Sequence, residues 1–187
     1  NENADFNLNE NLNHVFINSV TTALKELNTG DNVLRINGWD TFLQRPVWEI
    51  AGKINDGSRL IIEKLNKKIF LVIDEPGFVS AKIIAMIINE AYFALGDEVS
   101  SKTEIDTAMK LGTNYPYGPF EWAEKIGVIN IYLLLKKLMF NYLRNQSTVE
   151  PIMFNRSAKM LKDRENYNYE NQDKVKKNFS NTLAITS

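Results

Sequence analysis

The stretch DEPGFVSAKIIAMIINEAYFALGDEVSSKTEIDTAMKLGTNYPYGPFEWAEKIG, residues 74–127, decides the fold because three structural signals follow one another in it. A strand ends at the turn formed by Pro76 and Gly77, and two helices with defined ends come next. A loop rich in proline, glycine and aromatic residues closes the stretch. We therefore predict that the chain leaves a sheet at this turn and continues as an all-helical second half.

The first predicted helix covers about 79–95 and has a wide apolar face, and Gly96 ends it. Its apolar residues recur at spacings of three and four: Ile83, Ile84, Ile87, Ile88 and Ala91.

A second, shorter helix is predicted to begin at residue 102, because Ser101 and Glu104 have the spacing of a capping box. We expect Gly112 to end this helix and Asp106 to face outward. Three apolar side chains are expected to face inward: Ile105, Ala108 and Met109.

Two further helices are predicted after the loop. Pro119 suits the first turn of a short helix that Gly127 follows, and 129–143 is strongly helical and nearly apolar all round. Such a segment is usually buried between partners. Met153 to Leu161 could form one more helix, and the remaining chain is polar and rich in asparagine.

Before residue 74, strands alternate with helices, a pattern typical of a mostly parallel sheet. The predicted strands are 14–20, 32–38, 47–52 and 68–74, with helices after the first and at 58–65. The last strand is apolar enough that we expect it to be buried on both faces.

Composition excludes several classes of function. The 187 residues have a net charge of -1 and a pI near 6.0, which gives no basic surface for nucleic acid or anionic lipid. With no cysteine and only His14, a metal site is hard to build. Apolar runs are too short to cross a membrane, so we expect a cytoplasmic protein.

The motifs of 74–127 resemble the carboxy-terminal domain of the 3-hydroxyacyl-CoA dehydrogenases. The resemblance rests on DEPGF at 74–78, EID at 104–106 and YPYGPF at 115–120, and extends more loosely back to about His14. It implies a truncated α/β Rossmann-like sheet unit at 1–74, a helical domain at 75–165 and a polar tail at 166–187. We expect the domain boundary within 74–79.

The family interconverts 3-hydroxyacyl-CoA and 3-ketoacyl-CoA with NAD, as the resemblance implies. A nicotinamide dinucleotide is held by a glycine-rich turn after a first strand, and no GxGxxG occurs in the sequence. We therefore expect no NAD binding by this chain alone. The cofactor-binding half either lies upstream of Asn1 or is absent.

The resemblance implies a catalytic histidine base, a glutamate that orients it, and a serine and an asparagine that bind the substrate oxygen. The glutamate falls on Glu49. In the histidine position the sequence offers Asn37 or, with a small shift, Trp39, and neither can take a proton from an alcohol near neutral pH. His14 begins an earlier strand and cannot replace the missing base.

Neither substrate-binding residue of the family is found at its expected position in this sequence. The family serine falls near Val20, where Ser19 or Thr21 could substitute if the register slips. The family asparagine falls on Ala81, and Lys82 replaces the usual arginine.

Two of these residues have structural interpretations as well. Glu49 is either a retained carboxylate in an acyl-binding cleft or a strand charge that pairs with Arg35 or Arg45. Lys82 could bind a CoA phosphate or be an ordinary surface charge.

Two functional classes follow. The chain is either part of an acyl-CoA oxidoreductase, inactive alone, or a catalytically silent relative that binds acyl-CoA or serves as a dimerisation module. In relatives the helical domain associates with its counterpart, so we expect a homodimer through this domain.

Overall fold

The computed structural model describes residues 14–145, which form two compact units. We call residues 14–78 the sheet unit and residues 79–145 the helical unit. The expected fold class, a partial α/β sheet followed by helices, is confirmed. The terminal segments, including the predicted helix Met153 to Leu161 and the tail 166–187, lie outside the described residues.

The sheet unit has four strands and two helices. In chain order they are β1 (Val15–Asn18), α1 (Leu24–Leu27), β2 (Val33–Ile36), β3 (Val47–Ala51), α2 (Asp56–Lys64) and β4 (Lys68–Leu71). The strands lie in the order β1-β2-β3-β4. The β1–β2 and β3–β4 pairs are parallel and joined through helices, whereas β2 and β3 are antiparallel.

Alternate side chains of the strands pack on opposite faces of the sheet. One face carries a buried cluster that α2 covers through Ile62; its members are Phe16, Leu34, Ile36, Trp48, Ile50 and Ile62. The other face packs Val15, Ile17 and Val33 against Leu24 and Leu27 of α1. Both faces of the first strands are therefore covered.

The expectation that the last strand is buried on both faces is wrong. β4 lies at an edge of the sheet, and Phe70, Leu71 and Ile73 are 52%, 59% and 79% exposed. The apolar composition of β4 resembles that of a central strand. In the sheet, however, β4 has only one neighbour among the described strands, β3.

The turn after β4 has the backbone conformation that its sequence indicates. Gly77 has a φ of +91°, which glycine adopts at no steric cost, and the next residue, Phe78, has a φ of +48°. The Gly77 amide donates to the Val20 carbonyl at 2.7 Å, so the turn is tied to the chain after β1.

The helical unit has four helices, named in chain order α3 (Ser80–Gly96), α4 (Lys102–Thr113), α5 (Pro119–Ile126) and α6 (Val128–Asn145). In α3, Ile84, Ile88 and Ala91 are buried as expected, but Ile83 is 50% exposed. Gly96 ends this helix as predicted.

The capping box of α4 is confirmed, because Ser101 accepts the Glu104 amide and Glu104 accepts the Ser101 amide. The expected end at Gly112 is wrong: α4 continues to Thr113, and Asn114 caps it in a left-handed conformation.

The expected orientation of α4 is wrong at two positions, because Asp106 is buried and Ala108 is exposed. Ile105 and Met109 are half-buried. Asp106 accepts the backbone amides of Phe120 at 2.8 Å and Glu121 at 3.2 Å. It thereby caps α5, which begins at Pro119 as predicted. Gly118 is required beside it, since a Cβ there would lie 2.3 Å from the Asp106 carboxylate.

Candidate functional site

The carboxyl ends of β1 and β2 meet at one edge of the sheet because the two strands are parallel. Asn18, the last residue of β1, accepts from the Gly38 amide at 3.0 Å and donates to the Gly38 carbonyl at 3.2 Å. A Cβ at Gly38 would lie 2.5 Å from the Asn18 side chain. This contact fixes the chain directly after residue 37.

Asn37 and Glu49 face each other across the antiparallel pair of β2 and β3. The Asn37 amide nitrogen donates to Glu49 Oε2 at 3.4 Å, the long end of the hydrogen-bond range. The β2–β3 register pairs Ile36 with Ile50, so the next pair outward along the ladder is Asn37 with Glu49. Asn37 is 5% exposed and Glu49 is half-buried.

Of the two residues that the sequence offers for the histidine position, Asn37 contacts Glu49. Trp39 is buried, and its backbone amide donates to the Asn37 side-chain oxygen. A carboxamide donates and accepts hydrogen bonds but has no proton acceptor with a pKa near neutral. The Asn37 side chain can therefore hydrogen-bond a substrate oxygen, but it cannot accept a proton as imidazole does.

Arg35 pairs with Asp74, not with Glu49 as one interpretation of the sequence proposed. The Arg35–Asp74 distance is 2.5 Å, and the guanidinium is fully buried. Arg35 also donates to the backbone carbonyls of Ser19, Val20 and Glu75 and lies 4.7 Å from the centre of the Phe78 ring.

The pKa of Arg35 is lowered by burial, while its hydrogen bond and charge interaction with Asp74 raise it. The carboxylate of Asp74 also accepts the Leu24 and Lys25 amides at the start of α1. This network joins the end of β1, α1 and the DEPGF turn. One signal for this network is visible in the sequence: a charged residue inside the apolar run VLRI.

Ser19 and Thr21 lie in the turn after β1. The Ser19 hydroxyl donates to the Thr22 carbonyl at 2.8 Å, so it already stabilises this turn. Thr21 is half-buried, and Val20 between them is 4% exposed. Both hydroxyls lie within the sheet unit, in the loop that Arg35 holds.

Lys82 belongs to the helical unit, in the first turn of α3, and is half-buried. Its neighbour Ala81, in the position of the family asparagine, is fully buried. Among the described residues, no group of three or more histidine, cysteine or acidic side chains could hold a metal ion. None of the described helices is both long and apolar enough to cross a membrane.

A protein-family model described as the 3-hydroxyacyl-CoA dehydrogenase C-terminal domain matches residues 77–175, more than half of the chain. Two curated relatives agree. The chain is 43% identical over 81 residues to 3-hydroxyadipyl-CoA dehydrogenase of Escherichia coli, covering 43% of this chain and 17% of that protein. It is 36% identical over 100 residues to 3-hydroxybutyryl-CoA dehydrogenase of Clostridioides difficile, covering 54% and 34%.

Solved structures give the same result. The chain matches 3-hydroxybutyryl-CoA dehydrogenase of Escherichia coli with a TM-score of 0.58 and 29% identity, over 78% of this chain and 32% of that one. The match to (S)-3-hydroxybutyryl-CoA dehydrogenase of Ralstonia eutropha has a TM-score of 0.55 and 27% identity, over 67% and 48%.

The matched segments are at most about a third of the curated relatives described above. Within that part, the DEPGF turn, the capping box and the YPYGPF loop each lie at an element boundary in the structure. Motif, family model and fold agree, and this chain belongs to the 3-hydroxyacyl-CoA dehydrogenase family.

Proposed function

We propose that this chain is a 3-hydroxyacyl-CoA dehydrogenase relative that retains an acyl-CoA site but does not carry out hydride transfer by itself. The observation that supports this most strongly is the Asn37–Glu49 contact at 3.4 Å. An amide occupies the position of the catalytic base, so Glu49 has no imidazole to orient. Ser19, Thr21 and Lys82 are the other residues that we propose for substrate binding.

The residues present do not fit the NAD that the family implies. The glycine-rich fingerprint that holds the pyrophosphate in Rossmann sheets, GxGxxG, does not occur in the sequence. In the described part of the chain, the amides of Leu24 and Lys25 at the start of α1 are bound to Asp74. The start of α2 is capped by Asn55. Neither helix therefore offers the open amino terminus that a pyrophosphate needs.

Enzyme assay with acetoacetyl-CoA and NADH tests the proposal. We expect the purified 187-residue chain to oxidise no NADH above the blank, under conditions in which 3-hydroxybutyryl-CoA dehydrogenase is active. Turnover by this chain would contradict the proposal. A Glu49→Gln variant is the matched control, because activity lost in that variant would show that the carboxylate itself acts as the base.

The alternative is a non-catalytic module that either binds acyl-CoA or mediates dimerisation. The surface of α6 supports the dimerisation module. Ile131, Leu134 and Leu135 bury one face of α6, while Phe140 remains 60% exposed. We propose that a homodimer forms through this helix, because contact with a second copy would remove the exposed Phe140 ring from water.

Sedimentation of the wild type and a Phe140→Lys variant tests the dimer. We expect a dimer mass for the wild type at micromolar concentration and a monomer mass for the variant. A Lys136→Ala variant, at another exposed position of α6, is the control. A monomeric wild type would contradict this proposal. We also propose a cytoplasmic location, with which the absence of cysteine is compatible.

A further inference from the structure

The Asn37 side chain is closed to a substrate in this conformation. Asn37 is 5% exposed, its side-chain oxygen accepts the Trp39 amide at 3.4 Å, and its side-chain nitrogen donates to Glu49. A substrate oxygen could reach Asn37 only if one of these neighbours moved. Glu49 belongs to β3, which is paired with a strand on each side, whereas Trp39 belongs to a loop that can move without breaking strand pairs.

This loop contains a tight turn with an unusual residue in its third position. The Trp39 carbonyl accepts the Phe42 amide at 3.1 Å, and Thr41 has a φ of +73°. A positive φ at the third position of a turn normally requires glycine or asparagine, because a β-branched side chain is crowded against its own backbone there. Of the six residues other than glycine with positive φ in the described part of the chain, only Thr41 is β-branched.

The side chain of Thr41 also destabilises this conformation. The Thr41 hydroxyl is buried and has no hydrogen-bond partner within residues 14–145. A buried hydroxyl without a partner has lost the hydrogen bonds that it would make to water. The Thr41 amide is satisfied by the Asp40 carboxylate at 2.7 Å, but the hydroxyl and the strained backbone are not compensated in this way. Opening of the turn would relieve both penalties.

We propose that residues 39–42 form a latch over Asn37, which opens to let the acyl thioester of acyl-CoA reach this side chain. The inference rests on the proposed acyl-CoA site and adds the step that exposes it. A ligand that binds only the open state has its affinity reduced in proportion to the fraction of molecules that are open. A change that stabilises the closed latch must therefore weaken acyl-CoA binding by the factor by which it reduces opening.

Thr41→Gly in the full chain should stabilise the closed latch, because glycine adopts a positive φ without crowding and removes the unpaired hydroxyl. The Phe42 amide should then exchange with deuterium at least about fivefold more slowly than in the wild type, the factor that strain at one such residue represents. Thr41→Asn should slow exchange as well, since asparagine tolerates a positive φ without the added backbone freedom of glycine.

The control for these exchange measurements is Asn66→Gly. Asn66 is exposed, has a φ of +55° and lies outside the latch. It carries the same new residue at a positive φ that asparagine already tolerates. Exchange of the Phe42 amide, followed by NMR, should be unchanged in Asn66→Gly. Equal exchange in the wild type, Thr41→Gly and Thr41→Asn would overturn the latch, whether or not the chain binds acyl-CoA.

Equilibrium dialysis against acetoacetyl-CoA tests whether the latch covers the site. The Kd of Thr41→Gly should rise by the factor by which exchange of its Phe42 amide slows. Slower exchange with an unchanged Kd would show that the turn does not control access to Asn37, and would overturn the proposal. Absence of binding by the wild type would contradict the acyl-CoA site itself, and with it the latch as its cover.

Discussion

The guanidinium of Arg35 is fully buried, and the carboxylate of Asp74 compensates its positive charge. Removing one partner of a buried ion pair leaves an uncompensated charge, which costs far more than the pair itself contributes. Asp74 has a second function as the acceptor for α1 amides. Its loss therefore affects two contacts at once.

We predict that Asp74→Ala lowers the free energy of unfolding by roughly 3 kcal/mol. The structure provides a matched control in Asp31, which pairs with Lys53 at 3.0 Å with both side chains at least 75% exposed. Asp31→Ala should cost less than about 1 kcal/mol. Urea denaturation of both variants measures the difference, and equal losses would show that Asp74 does not stabilise Arg35.

Asn37 and Arg35 show what the sequence could and could not predict at this scale. Spacing narrowed the histidine position to Asn37 or Trp39, and the β2–β3 register then shows that Asn37 lies opposite Glu49. One interpretation of the sequence paired Arg35 with Glu49, which is nearer in sequence. Its partner Asp74 is 39 residues away, beyond what a local pattern can indicate.

Among the helices, α4 has an amino terminus that the sequence marks clearly with a capping box. Glu104 accepts from the Ser100 hydroxyl at 2.6 Å and from the Ser101 amide and hydroxyl. These hydrogen bonds lower the pKa of Glu104 from 4.5 to about 2, the bond from Ser100 contributing most. Because all the groups lie within five residues, the cap could be predicted from the sequence.

We predict a pH-dependent effect of Glu104→Gln. A carboxyl group whose pKa is lower in the folded state stabilises the fold above its unfolded pKa and loses that contribution as pH falls through its folded pKa. The Tm of the wild type should therefore exceed that of Glu104→Gln at pH 7. The difference should shrink as pH falls from 4.5 toward 2. Thermal melts across this range measure it, and a constant difference would contradict the assignment.

The orientation of Asp106 was predicted wrongly because its hydrogen-bond partners belong to another helix, α5. The helical pattern alone placed it outward, but α5 supplies backbone amides that a short carboxylate on α4 can accept. The two residues joined, Asp106 and Phe120, are 14 positions apart. Caps formed across a loop cannot be identified by periodicity within one helix.

At the scale of the whole molecule, the order of strands and helices was predictable and the position of β4 was not. Apolar content indicates a strand, but it does not say whether one neighbour or two will cover it. Exposure of Phe70, Leu71 and Ile73 follows from sheet order.

The chain is proposed to keep the acyl-CoA site of its family without the base that the reaction needs. Equilibrium dialysis against acetoacetyl-CoA tests this most directly. We predict saturable binding of one equivalent per chain at concentrations below about 1 mM, the upper end of usual Michaelis constants, with no reduction of the 3-keto group when NADH is present. Absence of binding up to that concentration, or reduction of the 3-keto group to a hydroxyl, would contradict it.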